Sequence, residues 1–342
     1  MSLVLGILPR KYSELAYNFM NERDFGAIFD HSHKPEEKIG RNTGVKFSFL
    51  RHSQKSSGRV FSVDASGMSA ANISEAGKSR AFDFGKENLS GRDINKSYVT
   101  TSDRTKQTLE SAFEGAGIEP QILKQKGEFK AFFALPALIG SIDFNKKYDA
   151  ISEPIRRQYI LENFGNINFD DLTPDQQEEV AEYAEEPALD WYLSFGDQRP
   201  DKDTPSPRES AAAVAFKVNR LVNLPDYMES GARVDLVSAG HKTSTEAFLK
   251  YVIERETENG KIVGCDYLAE IGGSLKILDS WDLKVDNDVE GKKLVKLTLR
   301  RENGVQQEFG VSLESVRHLA QEYIQVNDLK ALKIDGSEIG SI

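Results

Sequence analysis

Apolar and polar positions alternate along residues 45–50, which is typical of a half-buried β-strand. Two polar residues, Arg51 and His52, follow this run directly. A second apolar run, at residues 234–238, has the composition of a buried parallel strand and leads through two small residues into His241. The chain therefore contains two predicted strands that deliver polar side chains at their carboxyl ends.

Between these strands the apolar positions recur at helical spacing. One helix is predicted to begin at Ser74, and the next carries Arg104 in its first turn after a short β-rich run at residues 97–101. Further helix starts are predicted at Thr173 and Ser206, because a proline follows each of these hydroxyl residues. A repeated strand-then-helix order predicts βα units and a mostly parallel sheet.

The rest of the chain departs from this order. Residues 143–200 are predicted to form a helical insertion, and strands are predicted at residues 274–278, 283–285 and 294–300, before a final helix at residues 312–324. The predicted fold class is α/β, a three-layer sandwich with a mostly parallel central sheet, a helical insertion and a β-rich C-terminal extension. The predicted parts are an N-terminal helical arm at 1–44, an α/β domain at 45–285 with a helical cap insertion at about 143–200, and a β-rich and helical C-terminal extension at 286–342 that packs on the main domain.

The composition is that of an ordinary soluble globular protein, with 342 residues of which 39% are hydrophobic and 29% charged. The formal net charge of −10 argues against a nucleic-acid partner, which needs a basic surface. The single cysteine, Cys265, excludes an intramolecular disulfide and is interpreted as a buried, inert thiol in a reducing compartment. No run has the features of a signal peptide or the length of a membrane span, so a cytoplasmic protein without a membrane partner is expected.

Two other polar stretches have ordinary interpretations. Residues 170–190 carry nine acidic side chains and no basic one, which is interpreted as a solvated helix face. His31 and His33 have the spacing of metal ligands, but no further ligand cluster stands near them in the sequence. A solvated loop is therefore preferred there, and no metal site is predicted.

Three predicted strand ends now offer Arg51 with His52, Arg104 and His241. In a parallel sheet all carboxyl ends face the same edge, so these side chains are expected to converge although they are far apart in sequence. Two guanidiniums and two imidazoles gathered in this way form a cationic pocket inside an acidic protein. Such a pocket suits a phosphoryl group, because arginine forks match phosphate oxygens.

The order of these residues resembles that of the motifs in the histidine phosphatases, a family that includes the cofactor-dependent phosphoglycerate mutases. Residues 51–53 are similar to the family's Arg-His-Gly, with Ser53 in place of the glycine, and residues 73–77 are similar to its Leu-Thr-x-x-Gly. Residues 102–108 resemble a shortened Ser-x-x-x-Arg-Ala-x-Gln-Thr, and residues 208–210 resemble Gly-Glu-Ser. The resemblance covers about residues 45–285, and His241 closes a strand as the family's second histidine does.

The resemblance implies phosphomonoester hydrolysis through a phosphohistidine on His52. Arg51, Arg104, His241 and Ser53 are the implied phosphate-binding residues, and His241 is also implied to be catalytic. No metal or other cofactor is implied, because the arginines supply the positive charge. Lys55, Lys106 and Lys242 are interpreted as solvated lysines near the rim of the pocket.

A carboxylic acid must protonate the leaving group, and the resemblance implies Glu128 for this role. Glu209 is the alternative acid, although its position in residues 206–209 favours a capping box that holds the backbone N–H of Ser206. The implied substrate is a small phosphorylated molecule or a phosphoprotein. Two other functions stay open: a mutase that returns the phosphoryl group to its substrate, and a non-catalytic phosphate-binding or scaffolding protein of the same fold.

Overall fold

The structure is a computed structural model that describes residues 40–55, 72–100, 102–119, 122–124, 140–258 and 260–334. The predicted N-terminal arm lies outside these residues except for positions 40–44, and so do His31, His33 and Glu128.

Nine strands form one sheet in the described part of the chain. They are β1 (Thr43–Arg51), β2 (Lys96–Val99), β3 (Ile122–Lys124), β4 (Arg233–Gly240), β5 (Ile253–Thr257), β6 (Gly260–Val263), β7 (Ser280–Asn287), β8 (Lys293–Arg300) and β9 (Gln306–Val311). The helices are α1 (Glu75–Asn88), α2 (Asp103–Ala116), α3 (Ile142–Asn163), α4 (Pro174–Leu193), α5 (Pro207–Asn223), α6 (Lys242–Val252) and α7 (Leu313–Ile334). No described helix is both long and apolar enough to cross a membrane.

The strands lie in the order β3-β2-β4-β1-β7-β8-β9-β5-β6. The first four are mutually parallel, whereas all neighbouring pairs from β1–β7 to β5–β6 are antiparallel. The fold is therefore α/β with a mixed sheet. The prediction of a mostly parallel sheet is wrong, because five of the eight neighbouring pairs among the described strands are antiparallel. Short turns at residues 288–292 and 301–305 join β7 to β8 and β8 to β9, and such short connections allow only antiparallel pairing.

Two clusters of buried apolar side chains hold the sheet and helices together. One contains the side chains of Phe47 and Phe49 with residues of α5, α6 and α7. The other contains Leu50 and Val237 with residues of α1 and α2. Alternate positions of β1 thus contribute to different clusters, as the side-chain alternation of a strand requires. Of the predicted C-terminal extension, β8 and β9 belong to this sheet, and β8, β9 and α7 all contribute side chains to the first cluster.

The predicted helix starts agree with the structure. The Ser74 hydroxyl accepts a hydrogen bond from the N–H of Gly77, and Thr173 and Ser206 each form a complete capping box. The predicted insertion contains α3 and α4, and Ser141 caps the first of these helices. Local sequence signals therefore define where these helices begin.

The predicted strand at residues 274–278 is wrong, because this segment is a loop before β7. Its apolar side chains are buried as in a strand, but its backbone N–H groups donate to side chains rather than to a neighbouring strand. The N–H of Leu275 donates to Glu246 at 2.5 Å, and that of Ile277 donates to Glu182 at 2.8 Å. Both carboxylates come from helices distant in sequence.

Helices α1 and α2 pack closely through glycines. A Cβ atom at Gly85 would overlap the carbonyl oxygen of Ala112, and one at Gly115 would overlap that of Phe82.

We expect Gly85→Ala to lower the free energy of unfolding by about 1–3 kcal/mol, because forced separation of the helices outweighs the gain of about 1 kcal/mol in helix propensity. Urea unfolding measures this change, with Lys86→Ala in the exposed part of the same helix as the control. A Gly85→Ala variant as stable as the unmodified protein contradicts the prediction.

Candidate active site

His52 lies just beyond the end of β1 and is 5% exposed. Its backbone N–H donates to the carbonyl oxygen of Gly240 at 3.1 Å, which ties it to the end of β4. Its Nδ1 lies 2.8 Å from the carbonyl oxygen of Ser53. Because a carbonyl only accepts hydrogen bonds, Nδ1 carries the ring proton, and Nε2 keeps its lone pair.

Ser53 joins this turn to α1 and α2. Its backbone N–H donates to Thr108 Oγ1 at 2.9 Å, and its hydroxyl donates to the carbonyl oxygen of Gly77 at 2.7 Å. Both of its hydrogen-bonding protons are thus used inside the protein. In this structure the residue holds the turn that carries His52, whereas the sequence predicts it as a phosphate ligand.

His241 stands at the end of β4 as the N-cap residue of α6. Its ring centroid lies 5.2 Å from that of His52, in an edge-to-face arrangement. Its Nδ1 is 3.3 Å from Nη2 of Arg104, and its Nε2 is 3.2 Å from Oγ1 of Thr100. The structure therefore brings together three of the side chains predicted to converge.

Arg51, the fourth of these side chains, is 6% exposed. Its Nη1 donates to the carbonyl oxygen of Leu275 at 2.6 Å and to Oε1 of Glu182 at 3.0 Å. The Nε atoms of Arg51 and Arg104 are buried and have no hydrogen-bond partner among the described residues. Each of these two guanidiniums therefore keeps one N–H group without a partner in the described part of the chain.

The inserted helix α4 brings carboxylates to this cluster. Oε2 of Glu185 lies 2.6 Å from Nζ of Lys242 and 3.9 Å from Nη2 of Arg51. Glu182 also forms an ion pair with Arg51. The interpretation of the acidic run as a solvated face is wrong for these two residues. The missed signal is the spacing of the acidic positions, which recur every three or four residues on one helix face. Those positions and their partners are Asp175 with Gln54, Glu178 with Arg80, Glu182 with Arg51, and Glu185 with Lys242.

The three lysines predicted to be solvated have different environments. Lys242 is buried against Glu185, so that prediction is wrong for it. Lys106 is more exposed and forms an ion pair with Glu110 on its own helix. Lys55 lies within electrostatic range of Arg104 and Glu185. The site therefore combines the cations of Arg51, Arg104, Lys55 and Lys242 with two carboxylates.

The charges of the site shift its protonation equilibria. Burial, Arg104 and the neighbouring imidazole hold the pKa of His52 well below its ordinary value of 6.5. Burial and Arg104 act in the same direction on the pKa of His241. Burial and the charge of Arg51 lower the pKa of Arg104 to about 10. Both imidazoles are therefore neutral at pH 7.

The carboxyl groups near the site differ in protonation. Burial alone raises the pKa of Glu185, but the attraction of Lys242 and Arg51 outweighs it and lowers that pKa to about 2. Burial raises the pKa of Glu246 to about 7, against the opposing charge of Lys242. Sequence reasoning missed Glu246, because a buried acid inside an apolar helix has no local signal.

The two acids predicted from the sequence are not seen at the cluster. Glu128 lies outside the described residues. Glu209 accepts a hydrogen bond from the backbone N–H of Ser206 at 2.8 Å and forms an ion pair with Arg199. These contacts are those of the capping box that the sequence offers as its alternative role. The described residues contain no cluster of three or more His, Cys, Asp or Glu side chains that could hold a metal ion.

No family model and no curated protein matches the chain. Among solved structures, it is similar to the Hafnia alvei phytase, with 11% identity, a TM-score of 0.44 and coverage of 85% of this chain and 98% of that one. A mycobacterial glucosyl-3-phosphoglycerate phosphatase has 14% identity and a TM-score of 0.37, covering 74% of this chain and 97% of its own. The Entamoeba histolytica phosphoserine phosphatase, solved with 3-phosphoglyceric acid, has 12% identity and a TM-score of 0.36, covering 73% and 94%.

These solved proteins are members of the histidine phosphatase superfamily, the family that the sequence motifs also resemble. At identities and TM-scores this low, the similarities carry no argument about the activity of this chain. That argument rests on the side chains at the carboxyl ends of β1, β2 and β4.

The lowered pKa values of both site histidines lead to a direct prediction. The side-chain NMR signals of His52 and His241 should not titrate near pH 6.5, because burial and the arginines oppose the imidazolium form. A pH series on protein labelled in histidine measures this, and the single variants His52→Asn and His241→Asn assign the two signals. A midpoint near 6.5 for either signal is incompatible with the described site.

Proposed function

We propose that the protein hydrolyses phosphomonoesters through a phosphohistidine formed at Nε2 of His52. The observation that carries this proposal is the position of that lone pair. Nδ1 of His52 is bound to Ser53, so Nε2 is the free nitrogen, and the ring lies beside His241 and in electrostatic contact with two arginines. A neutral nucleophile next to paired guanidiniums is the arrangement that phosphoryl transfer requires.

Arg51, Arg104 and His241 are proposed to hold the three equatorial oxygens of the phosphoryl group. The two guanidiniums carry unpartnered donors, and both lie within electrostatic range of His52. Their positive charge opposes the negative charge that spreads over these oxygens in the transition state. It also keeps His52 unprotonated, so the groups that bind the phosphoryl group keep the nucleophile ready.

In the first step Nε2 of His52 forms a bond to phosphorus, and the bond between phosphorus and the ester oxygen breaks. The departing oxygen takes a proton from a carboxylic acid. In the second step a water oxygen attacks phosphorus, the N–P bond breaks, and the resulting carboxylate takes the water proton. Inorganic phosphate and free His52 are left.

We assign the acid to Glu185, ahead of the sequence-based candidates Glu128 and Glu209. Glu185 is the carboxylate that acts on Arg51, Arg104, Lys55 and Lys242 together. In the free protein these cations keep it ionised, with a pKa of about 2. A phosphoryl dianion bound to the same cations offsets their positive charge and repels the carboxylate of Glu185. This raises the pKa of Glu185 and allows its carboxyl group to hold a proton.

Replacement of the nucleophile tests the proposal. We expect His52→Ala to lose at least about a thousandfold in kcat/KM for p-nitrophenyl phosphate, because no other described side chain offers a free nitrogen at that position. His318→Ala, which makes the same change on the exposed side of α7, should keep full activity. Equal turnover by His52→Ala and the unmodified protein excludes His52 as the nucleophile.

The product distinguishes hydrolysis from the alternatives left open by the sequence. ³¹P NMR of reactions with a panel of phosphorylated metabolites and phosphopeptides should show inorganic phosphate. A rearranged ester instead indicates a mutase. Absence of any turnover across the panel, with phosphate still bound, indicates a non-catalytic member of the fold.

The identity of the acid is tested by the leaving group. We expect Glu185→Gln to slow hydrolysis of an alkyl phosphate by about a hundredfold or more, while p-nitrophenyl phosphate is affected much less, because p-nitrophenolate leaves without a proton. Glu186→Gln is the matched control on the next position of α4. If both substrates lose activity equally, Glu185 acts on binding and not as the acid, and Glu128→Gln then becomes the variant to measure.

A further inference from the structure

A chain of hydrogen bonds behind His241 begins at the end of β2. Oγ1 of Thr105 donates to the carbonyl oxygen of Ser102 at 2.7 Å. Oγ1 of Thr105 also lies 3.1 Å from Oγ1 of Thr100, which in turn lies 3.2 Å from Nε2 of His241. Thr100 and Thr105 are both buried, at 2% and 0% exposure, so water does not compete for these bonds.

The direction of every bond in this chain follows from its two ends. A carbonyl cannot donate, so the single hydroxyl proton of Thr105 is used on Ser102. Thr105 must then accept from Thr100, whose own proton is used in that bond. Thr100 consequently accepts from His241, and it also accepts from the N–H of Ser102 at 3.3 Å. Two accepted bonds and one donated bond fill the capacity of the Thr100 hydroxyl.

The other side of the imidazole gives the same result independently. Nη2 of Arg104 lies 3.3 Å from Nδ1 of His241, and a guanidinium can only donate. Nδ1 must therefore be the unprotonated nitrogen. Both neighbours of the ring require the same neutral tautomer, with the proton on Nε2 and the lone pair of Nδ1 facing Arg104.

We propose that Thr100 is a positioning residue, which acts through His241 by holding its ring as the Nε2–H tautomer with Nδ1 towards Arg104. The sequence contained a signal for this residue. Thr100 precedes Arg104 by four positions, where the family motif has a serine, so the motif has its full length when it is started at Thr100 rather than at Ser102.

The consequence for phosphate binding rests on the proposed function. In the free protein Nδ1 accepts a bond from Arg104, so it has no proton to give to a phosphoryl oxygen. When an anion binds Arg104, the guanidinium turns its donors to the anion, and the repulsion that keeps Nδ1 unprotonated is offset. Nδ1 then takes one proton from solvent and donates it to the anion, while Thr100 continues to accept from Nε2–H. Binding of the dianion is thus coupled to uptake of one proton by His241.

Side-chain ¹⁵N NMR of histidine-labelled full-length protein tests the proposal without requiring any activity. The unmodified protein and Thr100→Ser should show an unprotonated Nδ1 and a slowly exchanging Nε2–H for His241, and inorganic phosphate should protonate Nδ1. In Thr100→Val the Nε2–H has no acceptor, so its signal should be lost to fast exchange, and only the bond from Arg104 then favours an unprotonated Nδ1. Thr105→Val removes the acceptor of the Thr100 proton, so Thr100 can donate to Nε2 instead and the exchange of Nε2–H should also become faster. Thr105→Ser keeps that acceptor and should keep the slow exchange.

Activity supplies a second readout that separates this proposal from the proposed function. We expect Thr100→Val to lose about ten- to a hundredfold in kcat/KM, which is the loss typical when a residue that orients a metal-binding histidine is removed. Thr100→Ser should stay within about threefold of the unmodified protein. Unchanged His241 signals in both valine variants overturn the proposal, as does a protonated Nδ1 in the unmodified, phosphate-free protein. An unmodified protein with the expected spectrum but without phosphatase activity contradicts the proposed function and leaves the assignment of Thr100 supported.

Discussion

The register between β1 and β4 places the whole site. Arg51 pairs with Gly240 in this parallel ladder, so the residues that follow, His52 and His241, leave the sheet side by side. The hydrogen bond from the His52 N–H to the Gly240 carbonyl extends the ladder to His52, the nucleophile of the proposed function. A slip of one residue would turn each side chain of a strand to the other face of the sheet. A Cβ atom at Gly240 would lie 2.8 Å from Cε2 of Phe49, so a larger residue at this position would displace that ring.

The second constraint is electrostatic. The arginines and Lys242 are drawn together in a buried volume, where like charges repel strongly and lose their hydration. Glu182 and Glu185 of the inserted helix offset this repulsion through Arg51 and Lys242. The insertion therefore contributes side chains to the site. In the proposed function, a phosphoryl group bound to Arg51 competes with these two carboxylates.

Much of the fold could be predicted because its signals are local. The strand ahead of Arg51, the N-caps at Ser74, Thr173 and Ser206, and the strand ahead of His241 are each defined by a few adjacent residues. The convergence of Arg51, His52, Arg104 and His241 on one edge of the sheet also follows, since it needs only βα units and parallel strands. The strands predicted at residues 283–285 and 294–300 lie within β7 and β8, but their antiparallel pairing with β1 and with each other was not predicted. The loop at residues 274–278 was also missed, because it has the composition of a strand whereas the partners of its N–H groups, Glu246 and Glu182, are remote in sequence.

The charged groups of the site were harder to predict for a similar reason. Helical spacing shows that the acidic residues of α4 share a face, but nothing in the sequence shows that this face meets Arg51. The family resemblance implies Ser53 as a phosphate ligand, but nothing in the sequence shows that its hydroxyl and backbone N–H donate to Gly77 and Thr108. Contacts of this kind depend on the packing of α1, α2 and α4 against the sheet edge, which no local pattern encodes.

The two imidazoles of the site are both neutral but carry their protons on opposite nitrogens. His52 is held as the Nδ1–H form by a carbonyl, which leaves Nε2 free. His241 has its Nδ1 bound by Arg104, which can only donate. The difference matters because a guanidinium bound to the lone pair of His52 would abolish its nucleophilicity. In the free protein Arg104 donates to Nδ1 of His241 and not to Nε2 of His52. Histidine thus has an unprotonated Nε2 at the end of β1 and an unprotonated Nδ1 bound to Arg104 at the end of β4, and the hydrogen bond of the other ring nitrogen decides which.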